Sequence, residues 1–273
     1  MAEPLRRCRP LLGTFVEVAA DRDNAIEAAF AAIGQVHRLM SAHEPDSDVS
    51  RINRFGHVRE VKVHEWTARA IERAFSWSKR SKGAFDIVAA GKAAIEHGLI
   101  PRHADQPLPE AAHWTWLEAQ GACVRLLKPG CIDLGGIAKG FAVDRAVEAM
   151  RRAGATRGLV NAGGDLFGFG EEPWTVAVVD PLTRRPAVEF RLRNEAVATS
   201  AIIGGSSAHL LGGGRLLSVT VRAATACSAD ALTKIVWAAP ANLRELLDQA
   251  GASAFGIRAH GQIEDISAEA LAA

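Results

Sequence analysis

The stretch of residues 131–144 places an acid, bare backbone and a cation in an order that favours phosphate chemistry. A short apolar run leads to Asp133, two glycines follow, and Lys139 lies in the first turns of a predicted helix. Exposed N–H groups at a helix N-terminus favour anionic ligands, and glycine lets a ligand approach the backbone closely. The stretch therefore predicts a site for phosphate with a divalent metal, although a tight turn with Lys139 as an ordinary solvated residue explains the spacing equally well.

The stretch matches neither of two common nucleotide-binding motifs. A dinucleotide fingerprint needs Gly-x-Gly-x-x-Gly between strand and helix, and the two glycines here are adjacent. A P-loop needs Ser or Thr directly after its lysine, whereas Gly140 follows Lys139. The sequence thus indicates a phosphate site of another kind.

Two further segments carry acids in suggestive positions. Asp165 follows Gly163 and Gly164, where its carboxylate is expected mainly to fix a turn through backbone hydrogen bonds. Asp230 and Thr233 share one face of a predicted helix, and a carboxylate with a hydroxyl forms a set of hard oxygen ligands that suits magnesium. Taken alone, an Asp230 that only complements the helix dipole is the favoured interpretation.

Two weaker candidates are an acid beside an aromatic residue, Phe85 with Asp86, and a lone histidine, His209, before a run of glycines. A turn with a core phenylalanine also explains the first, and an exposed loop residue explains the second. Because loops often carry functional groups, His209 remains a candidate.

Composition excludes several classes of protein. The chain has 273 residues, 48% of them hydrophobic, and a net charge of +1, which predicts no broad attraction to nucleic acid or to an anionic membrane. Its four cysteines form no Cys-x-x-Cys pair, so neither a disulfide framework nor a zinc knuckle is expected. No apolar leader or membrane-length segment is present, and the chain as given is therefore predicted to be cytoplasmic without membrane insertion.

The elements around these residues predict an α+β protein. Residues 131–134, 137–152 and 158–161 are expected to form a strand, a helix and a strand. Beyond residue 170, runs of strand precede a helix from about Ala229, which Ser228 is predicted to cap. Strand runs mixed with long helices are typical of α+β proteins, and residues 1–273 are predicted to form a single domain because no repeat or long linker interrupts them.

Taken in order, these segments resemble the FAD:protein FMN transferases, the ApbE family. The resemblance extends nearly from end to end of the chain. Each motif alone is weak evidence for the family, whereas their order along the chain is specific. That series comprises residues 13–14, 40–41, 47–53, 83–86, 132–140, 160–165, 174–181, 198–200 and 229–233.

The resemblance implies a tunnelling-fold-like α+β architecture, with a mixed or antiparallel sheet and flanking helices, that binds FAD with magnesium. Members of the family cleave the FAD pyrophosphate, attach FMN to a threonine hydroxyl of an acceptor protein and release AMP. Some members instead hydrolyse FAD to FMN and AMP. A partner protein with a target threonine is therefore expected, and FAD is expected as the substrate.

The resemblance also implies a role for each matching residue. His209 corresponds to a general base or substrate positioner, and the metal ligands correspond to Asp230, Thr233 and the carbonyl of Gly136. The residues that match FAD-binding positions are Met40, Ala84, Phe85, Asp86, Asp133 and Lys139.

One departure concerns the metal position. The family carries threonine four residues after the helix aspartate, whereas this chain has Lys234 there and Thr233 one residue earlier. A lysine among metal ligands repels the ion, so either Thr233 replaces the usual threonine or Lys234 turns outward. Two alternatives to FMN transfer stay open: FAD hydrolysis with water as acceptor, and a protein that binds FAD without catalysis.

Overall fold

The computed structural model describes residues 3–102, 108–202, 216–258 and 261–269. In chain order its helices and strands are β1 (Leu5–Leu11), β2 (Thr14–Ala20), α1 (Asp23–Met40), α2 (Asp48–Phe55), β3 (Val61–Lys62), α3 (Glu65–Arg80), α4 (Ile87–Glu96), a 3-10 turn (Trp114–Trp116), β4 (Leu117–Gln120), β5 (Cys123–Leu126), α5 (Ala138–Arg152), β6 (Gly158–Ala162), β7 (Asp165–Phe169), β8 (Trp174–Val179), β9 (Pro186–Leu192), β10 (Glu195–Ala201), β11 (Leu216–Ala223), α6 (Ala226–Ala238), α7 (Leu243–Ala250), β12 (Ser253–Arg258), β13 (Ile263–Asp265) and α8 (Ile266–Glu269).

The chain forms two compact units. The first comprises Met1–Gly34 and Lys139–Ala273, and the second comprises Gln35–Ala138. The prediction of a single domain over residues 1–273 stays a prediction.

The first unit is built on an eight-stranded antiparallel sheet in the order β1-β2-β6-β7-β10-β11-β12-β13. Successive side chains on a strand face opposite sides, so each strand serves two layers. A Cβ added at Gly158 would meet Met150 of α5, whereas the neighbouring Leu159 packs with Trp174 and Leu192 of the β8–β9 hairpin. Helix and hairpin therefore cover opposite faces of this sheet.

Helices α5 and α6 lie close together because a side chain of one caps the other. The carboxylate of Asp144 on α5 accepts hydrogen bonds from the N–H groups of Ala226 and Cys227, at 2.8 and 3.1 Å, at the start of α6. The predicted cap, Ser228, is wrong by three residues. Thr225 is the N-cap, and its hydroxyl accepts from the Ser228 N–H, so the helix starts one turn earlier.

The second unit contains a three-stranded antiparallel sheet in the order β3-β5-β4, together with α2, α3 and α4. The predicted strand at residues 131–134 is wrong, since these residues form no strand. The buried Asn53 amide takes the place of a partner strand: its Oδ1 accepts from the Ile132 N–H at 2.7 Å, and its Nδ2 donates to the Ile132 carbonyl at 3.0 Å. The extended backbone is thus satisfied by one side chain.

The predicted fold class is confirmed. Within the described residues, every strand pairing is antiparallel and helices flank the sheets. The helix predicted at residues 137–152 is observed as α5, and the strand predicted at residues 158–161 as β6. Helix α5 carries Lys139, and β6 leads into Asp165 at the start of β7.

Candidate active site

Lys139 and Asp165 form an ion pair in the first unit. Asp165 is the first residue of β7, and its carboxylate receives the Lys139 ammonium of α5 at 2.5 Å. The Asp165 side chain is 1% exposed, whereas that of Lys139 is 29% exposed. The turn before Asp165 is held differently from the prediction, because the Asn161 side chain, and not Asp165, accepts the Gly164 N–H. Asp165 is therefore available to the lysine.

Asp230 of α6 lies at the N-terminus of the neighbouring helix α5. One of its carboxylate oxygens, Oδ2, accepts a hydrogen bond from the Gly140 N–H at 3.0 Å. That N–H belongs to the first turn of α5, where main-chain donors have no partner within the helix. A Cβ at Gly140 would lie 2.2 Å from the Ala226 carbonyl oxygen, so glycine is required for this approach. The sequence predicted an anionic ligand at this helix N-terminus, and the carboxylate of Asp230 is one anionic group that binds there.

Lys234 lies one turn after Asp230 and points toward the same carboxylate. Its ammonium donates to Asp230 Oδ1 at 2.6 Å, to Ser200 Oγ at 2.9 Å and to Thr233 Oγ1 at 3.1 Å. Ser200 comes from β10, and its hydroxyl lies 2.8 Å from that of Thr233. Of the two arrangements left open by the sequence, an outward-turned Lys234 is therefore wrong.

Burial and neighbouring charges shift the pKa values of Asp165, Asp230 and Lys139. Burial raises the pKa of Asp165 to about 6, and the charge of Asp230 adds to this effect, while Lys139 and Lys234 oppose it. Burial also acts to raise the pKa of Asp230, but the ammonium groups of Lys234 and Lys139 outweigh it and the pKa is lowered. For Lys139, burial acts to lower the pKa, and the two carboxylates outweigh it and raise it. The pKa of Asp165 therefore lies below neutral pH, and its carboxylate is ionised at pH 7.

The predicted FAD-binding residues outside this cluster lie in the second unit. Met40 and Phe85 are buried, and the carboxylate of Asp86 caps α4 by accepting from the Val88 and Ala89 N–H groups. Its second oxygen accepts from the Trp114 N–H at 2.8 Å. Asp86 therefore fixes the start of α4 and the backbone at Trp114. Contact of Met40, Ala84, Phe85 and Asp86 with FAD stays a prediction.

Asp133 organises the turn that precedes α5. Its Oδ1 accepts from the Gly135 N–H at 2.9 Å, and its own N–H donates to the Ile87 carbonyl. Gly136 lies within this turn, at residues 135–137. The roles of Asp133 in binding FAD and of Gly136 in binding metal stay predictions.

Two of the residues predicted to hold magnesium, Asp230 and Thr233, do not fit a divalent ion as they stand. Both carboxylate oxygens of Asp230 accept N–H donors, and the Thr233 hydroxyl lies within hydrogen-bond distance of Lys234, Ser200 and the Asp230 carbonyl. In the described part of the chain, no group of three or more His, Cys, Asp or Glu side chains is arranged to hold a metal. The predicted metal site is thus occupied by an ammonium group.

The sequence reasoning missed Ser200 and did not expect the pairing of Lys234 with Asp230, and one candidate cannot be placed. His209 lies outside the described residues. Apart from the place of Ser200 in the ordered motifs, nothing in the sequence indicated that it belongs to the site, because its partner Thr233 is 33 residues away. Lys234 carried a clear signal, since an acid and a lysine at i and i+4 on one helix face form ion pairs.

The ApbE family model matches residues 12–207 of the chain. The chain belongs to the ApbE family. This confirms the resemblance drawn from the ordered motifs. Solved structures agree: the ApbE protein of Thermotoga maritima aligns with a TM-score of 0.83 at 25% identity, covering 98% of this chain and 99% of that one. The flavin transferase ApbE of Vibrio cholerae aligns with a TM-score of 0.81 at 20% identity and 98% coverage of both chains, which shows the shared fold.

Curated relatives of this ApbE-family chain are named FAD:protein FMN transferase. The Haemophilus influenzae protein is 27% identical over 252 residues, covering 79% of this chain and 72% of that protein. The Treponema pallidum protein is 26% identical, covering 71% of this chain and 63% of its own length, so the chain spans less than two thirds of that relative. No helix among the described residues is long and apolar enough to cross a membrane.

Proposed function

We propose that this protein transfers FMN from FAD to a threonine hydroxyl of an acceptor protein and releases AMP. Its family and the names of its curated relatives support the transferase class and the flavin substrate. The threonine target and the AMP product follow from the resemblance described above. The chain's own residues must then supply a place for a pyrophosphate.

One observation carries the proposal: each of two buried carboxylates is paired with the ammonium group of a more exposed lysine. The Asp165 and Asp230 side chains are 1% and 0% exposed, whereas those of Lys139 and Lys234 are 29% and 12% exposed. An anionic substrate that reaches this cluster meets the cations first. Among the described residues Lys139 donates to Asp165 alone, so its ammonium has further N–H groups that can donate to phosphate oxygens.

The proposed reaction is a displacement at the FMN phosphorus. The threonine oxygen forms a bond to that phosphorus while its bond to the bridging oxygen breaks, and AMP leaves with the bridging oxygen and the electron pair. The hydroxyl proton passes to a base, for which His209 is the sequence candidate. Such reactions depend on positioning and on neutralising charge at the phosphoryl oxygens. Asp165 holds the Lys139 ammonium in place for this role.

Magnesium is assigned no step, because the described ligand set does not fit it. The predicted dependence on magnesium remains a prediction from the resemblance. The positions that would hold the ion, Asp230 and Thr233, already bond to Lys234.

The proposal is tested by covalent flavin labelling. The purified protein is incubated with FAD and protein fractions of its own host, and proteins are separated under denaturing conditions and viewed by flavin fluorescence. A fluorescent band whose mass exceeds that of the acceptor by one FMN, with equimolar AMP, is the expected result. The labelled residue is then identified by peptide mass spectrometry.

The other outcomes contradict FMN transfer. AMP and FMN in equal amounts without a labelled protein would establish FAD hydrolysis instead. Bound FAD that yields no product would establish a binding protein without catalysis. A matched pair of variants assigns the activity to the cluster: Lys139→Met is expected to abolish labelling, whereas Lys79→Met, at an exposed lysine of α3, leaves it intact.

A further inference from the structure

Lys234 has the contacts of a bound cation. Its ammonium has three N–H donors, and three oxygens accept them: Asp230 Oδ1 at 2.6 Å, Ser200 Oγ at 2.9 Å and Thr233 Oγ1 at 3.1 Å. These are a carboxylate and two hydroxyls, the same hard oxygen donors that a magnesium ion takes. The ammonium is therefore fully coordinated by the side chains that the sequence assigns to a metal, together with Ser200.

The Thr233 hydroxyl has no capacity left for a metal. The Thr233 hydroxyl donates to the Asp230 carbonyl at 2.7 Å, and its oxygen lies 2.8 Å from Ser200 Oγ and accepts from Lys234. One donor and two acceptor sites complete the capacity of a hydroxyl. Asp230 is fully buried, and its other carboxylate oxygen accepts from the Gly140 N–H. A metal ion could bind here only by displacing the ammonium.

The position of the lysine is fixed by the fold. Asp230 and Lys234 lie at i and i+4 on α6, which brings their side chains together on one face. Ser200 is held opposite by β10, whose pairing with β7 and β11 sets which of its side chains face the helix. The Lys234 side chain is 12% exposed, so its ammonium is held between these residues rather than free in solvent.

We propose that the Lys234 ammonium takes the place of a divalent cation in this chain, so that its anionic substrate binds with no metal held by Asp230 and Thr233. That this substrate is FAD rests on the proposed function. The ammonium supplies one positive charge where magnesium would supply two, and it does so without depending on metal concentration. FAD binding is therefore independent of divalent ions at this position.

The decisive test measures metal binding directly and needs no turnover. Mn²⁺ is titrated into the full-length protein, with and without FAD, and free Mn²⁺ is followed by its electron paramagnetic resonance signal. Wild-type protein is expected to bind no stoichiometric Mn²⁺. Lys234→Thr, which restores a hydroxyl at i+4 from Asp230, is expected to bind one equivalent, with affinity raised by at least about tenfold. Adding Asp230→Asn to this variant abolishes the gain.

A matched control separates the site from a general loss of lysine. Lys92 also forms an i, i+4 ion pair, with Glu96 in α4, and its side chain is 19% exposed. Lys92→Thr is expected to behave as wild type in the same titration. Lys234→Ser serves as a second variant if Lys234→Thr lacks the circular dichroism spectrum of the wild type.

FAD affinity gives an independent measurement. Flavin fluorescence titrations in excess EDTA and in millimolar Mg²⁺ are expected to give the same dissociation constant for wild type, whereas Lys234→Thr binds FAD more tightly in Mg²⁺. Wild-type protein that binds one equivalent of Mn²⁺, lost in Asp230→Asn, would overturn the proposal, and so would a Lys234→Thr variant that folds but gains no metal. Because neither measurement follows transfer, absent FMN labelling counts against the proposed function alone.

Discussion

The main-chain N–H of Gly140 donates to the carboxylate of Asp230 at 3.0 Å, so a side chain of α6 is bound at the N-terminus of α5. This bond depends on the two helices approaching closely. The missing side chain at position 140 permits the approach, and Asp144 reinforces it by capping α6. The same contact orients the Asp230 carboxylate toward Lys234.

The close approach predicts that Gly140→Ala is destabilising. The added Cβ would lie 2.2 Å from the Ala226 carbonyl oxygen and 2.8 Å from Asp230 Cβ, and the first of these is backbone that cannot simply rotate away. Overpacking of this kind costs about 1–3 kcal/mol, which exceeds the gain of about 0.5–1 kcal/mol from replacing a helical glycine. Urea denaturation measures the difference. A variant more stable than wild type would show that the helices have room to separate.

The raised pKa of Asp165 predicts a pH-dependent effect of Asp165→Asn. The folded state holds a proton on Asp165 up to a pKa of about 6, above the ordinary value of 3.8, so the folded state binds more protons between these values. The contribution of Asp165 to the free energy of unfolding therefore falls as pH rises through this window. The free energy of unfolding of the variant, relative to wild type, should rise by up to about 3 kcal/mol between pH 4 and pH 7.

Denaturation at closely spaced pH values measures this difference. Asp165→Asn also removes the partner of Lys139. This loss changes the difference in free energy of unfolding by the same amount at every pH in the range, because the Lys139 ammonium stays protonated throughout. A difference that is flat with pH would show that Asp165 titrates at its ordinary value.

The ion pair between Lys139 and Asp165 predicts that stability and activity can be separated. Lys139→Met leaves a buried carboxylate without its cation, which costs about 3–5 kcal/mol. Adding Asp165→Asn removes that carboxylate and should restore most of the stability. Transfer activity should stay at least about a hundredfold below wild type in both variants, because a charged donor to the substrate is gone. Recovery of activity in the double variant would limit Lys139 to a structural role.

The Asn53 side chain predicts a large effect from one buried amide. Asn53→Leu has a similar volume but leaves the N–H and the carbonyl of Ile132 without their partner. Each unsatisfied buried group costs about 1–3 kcal/mol, so a loss of about 2–6 kcal/mol is expected for the two groups. Asn24→Ala is the matched control, since Asn24 donates to the Ala153 carbonyl from an exposed position and should cost less than about 1 kcal/mol.

Hydrogen exchange gives this prediction a local measurement. The Ile132 amide should exchange faster in Asn53→Leu than the global loss of stability accounts for. Equal acceleration of all amides would mean that Asn53 contributes only to general packing.

Local patterns in the sequence were sufficient to predict helices with internal hydrogen bonds and elements with a clear period of apolar residues. Helix α5 follows from apolar residues spaced at helical intervals, and the runs of strand predicted beyond residue 170 are observed as β8 to β11. The family followed from the order of the motifs along the chain. The helix and the strands depend on neighbours within a few residues, and the order of the motifs can be read from the chain without its fold.

Contacts between distant residues decided what the sequence left open. The apolar run at residues 131–134 has the composition of a strand, but an amide 79 residues away, Asn53, pairs with its backbone instead. Asp165 was expected to fix its own turn, yet the register of β6 with β7 places it against Lys139. The strand register and the packing of α6 on the sheet are needed to bring Ser200 to Lys234.

The sequence by itself determined the family, the α+β class and the residue types available for chemistry. Tertiary structure decided which oxygen meets which cation, because a lysine four residues after an aspartate can turn outward or inward. Packing of α6 against β10 turns Lys234 inward, where Asp230, Ser200 and Thr233 together satisfy its charge and its three donors.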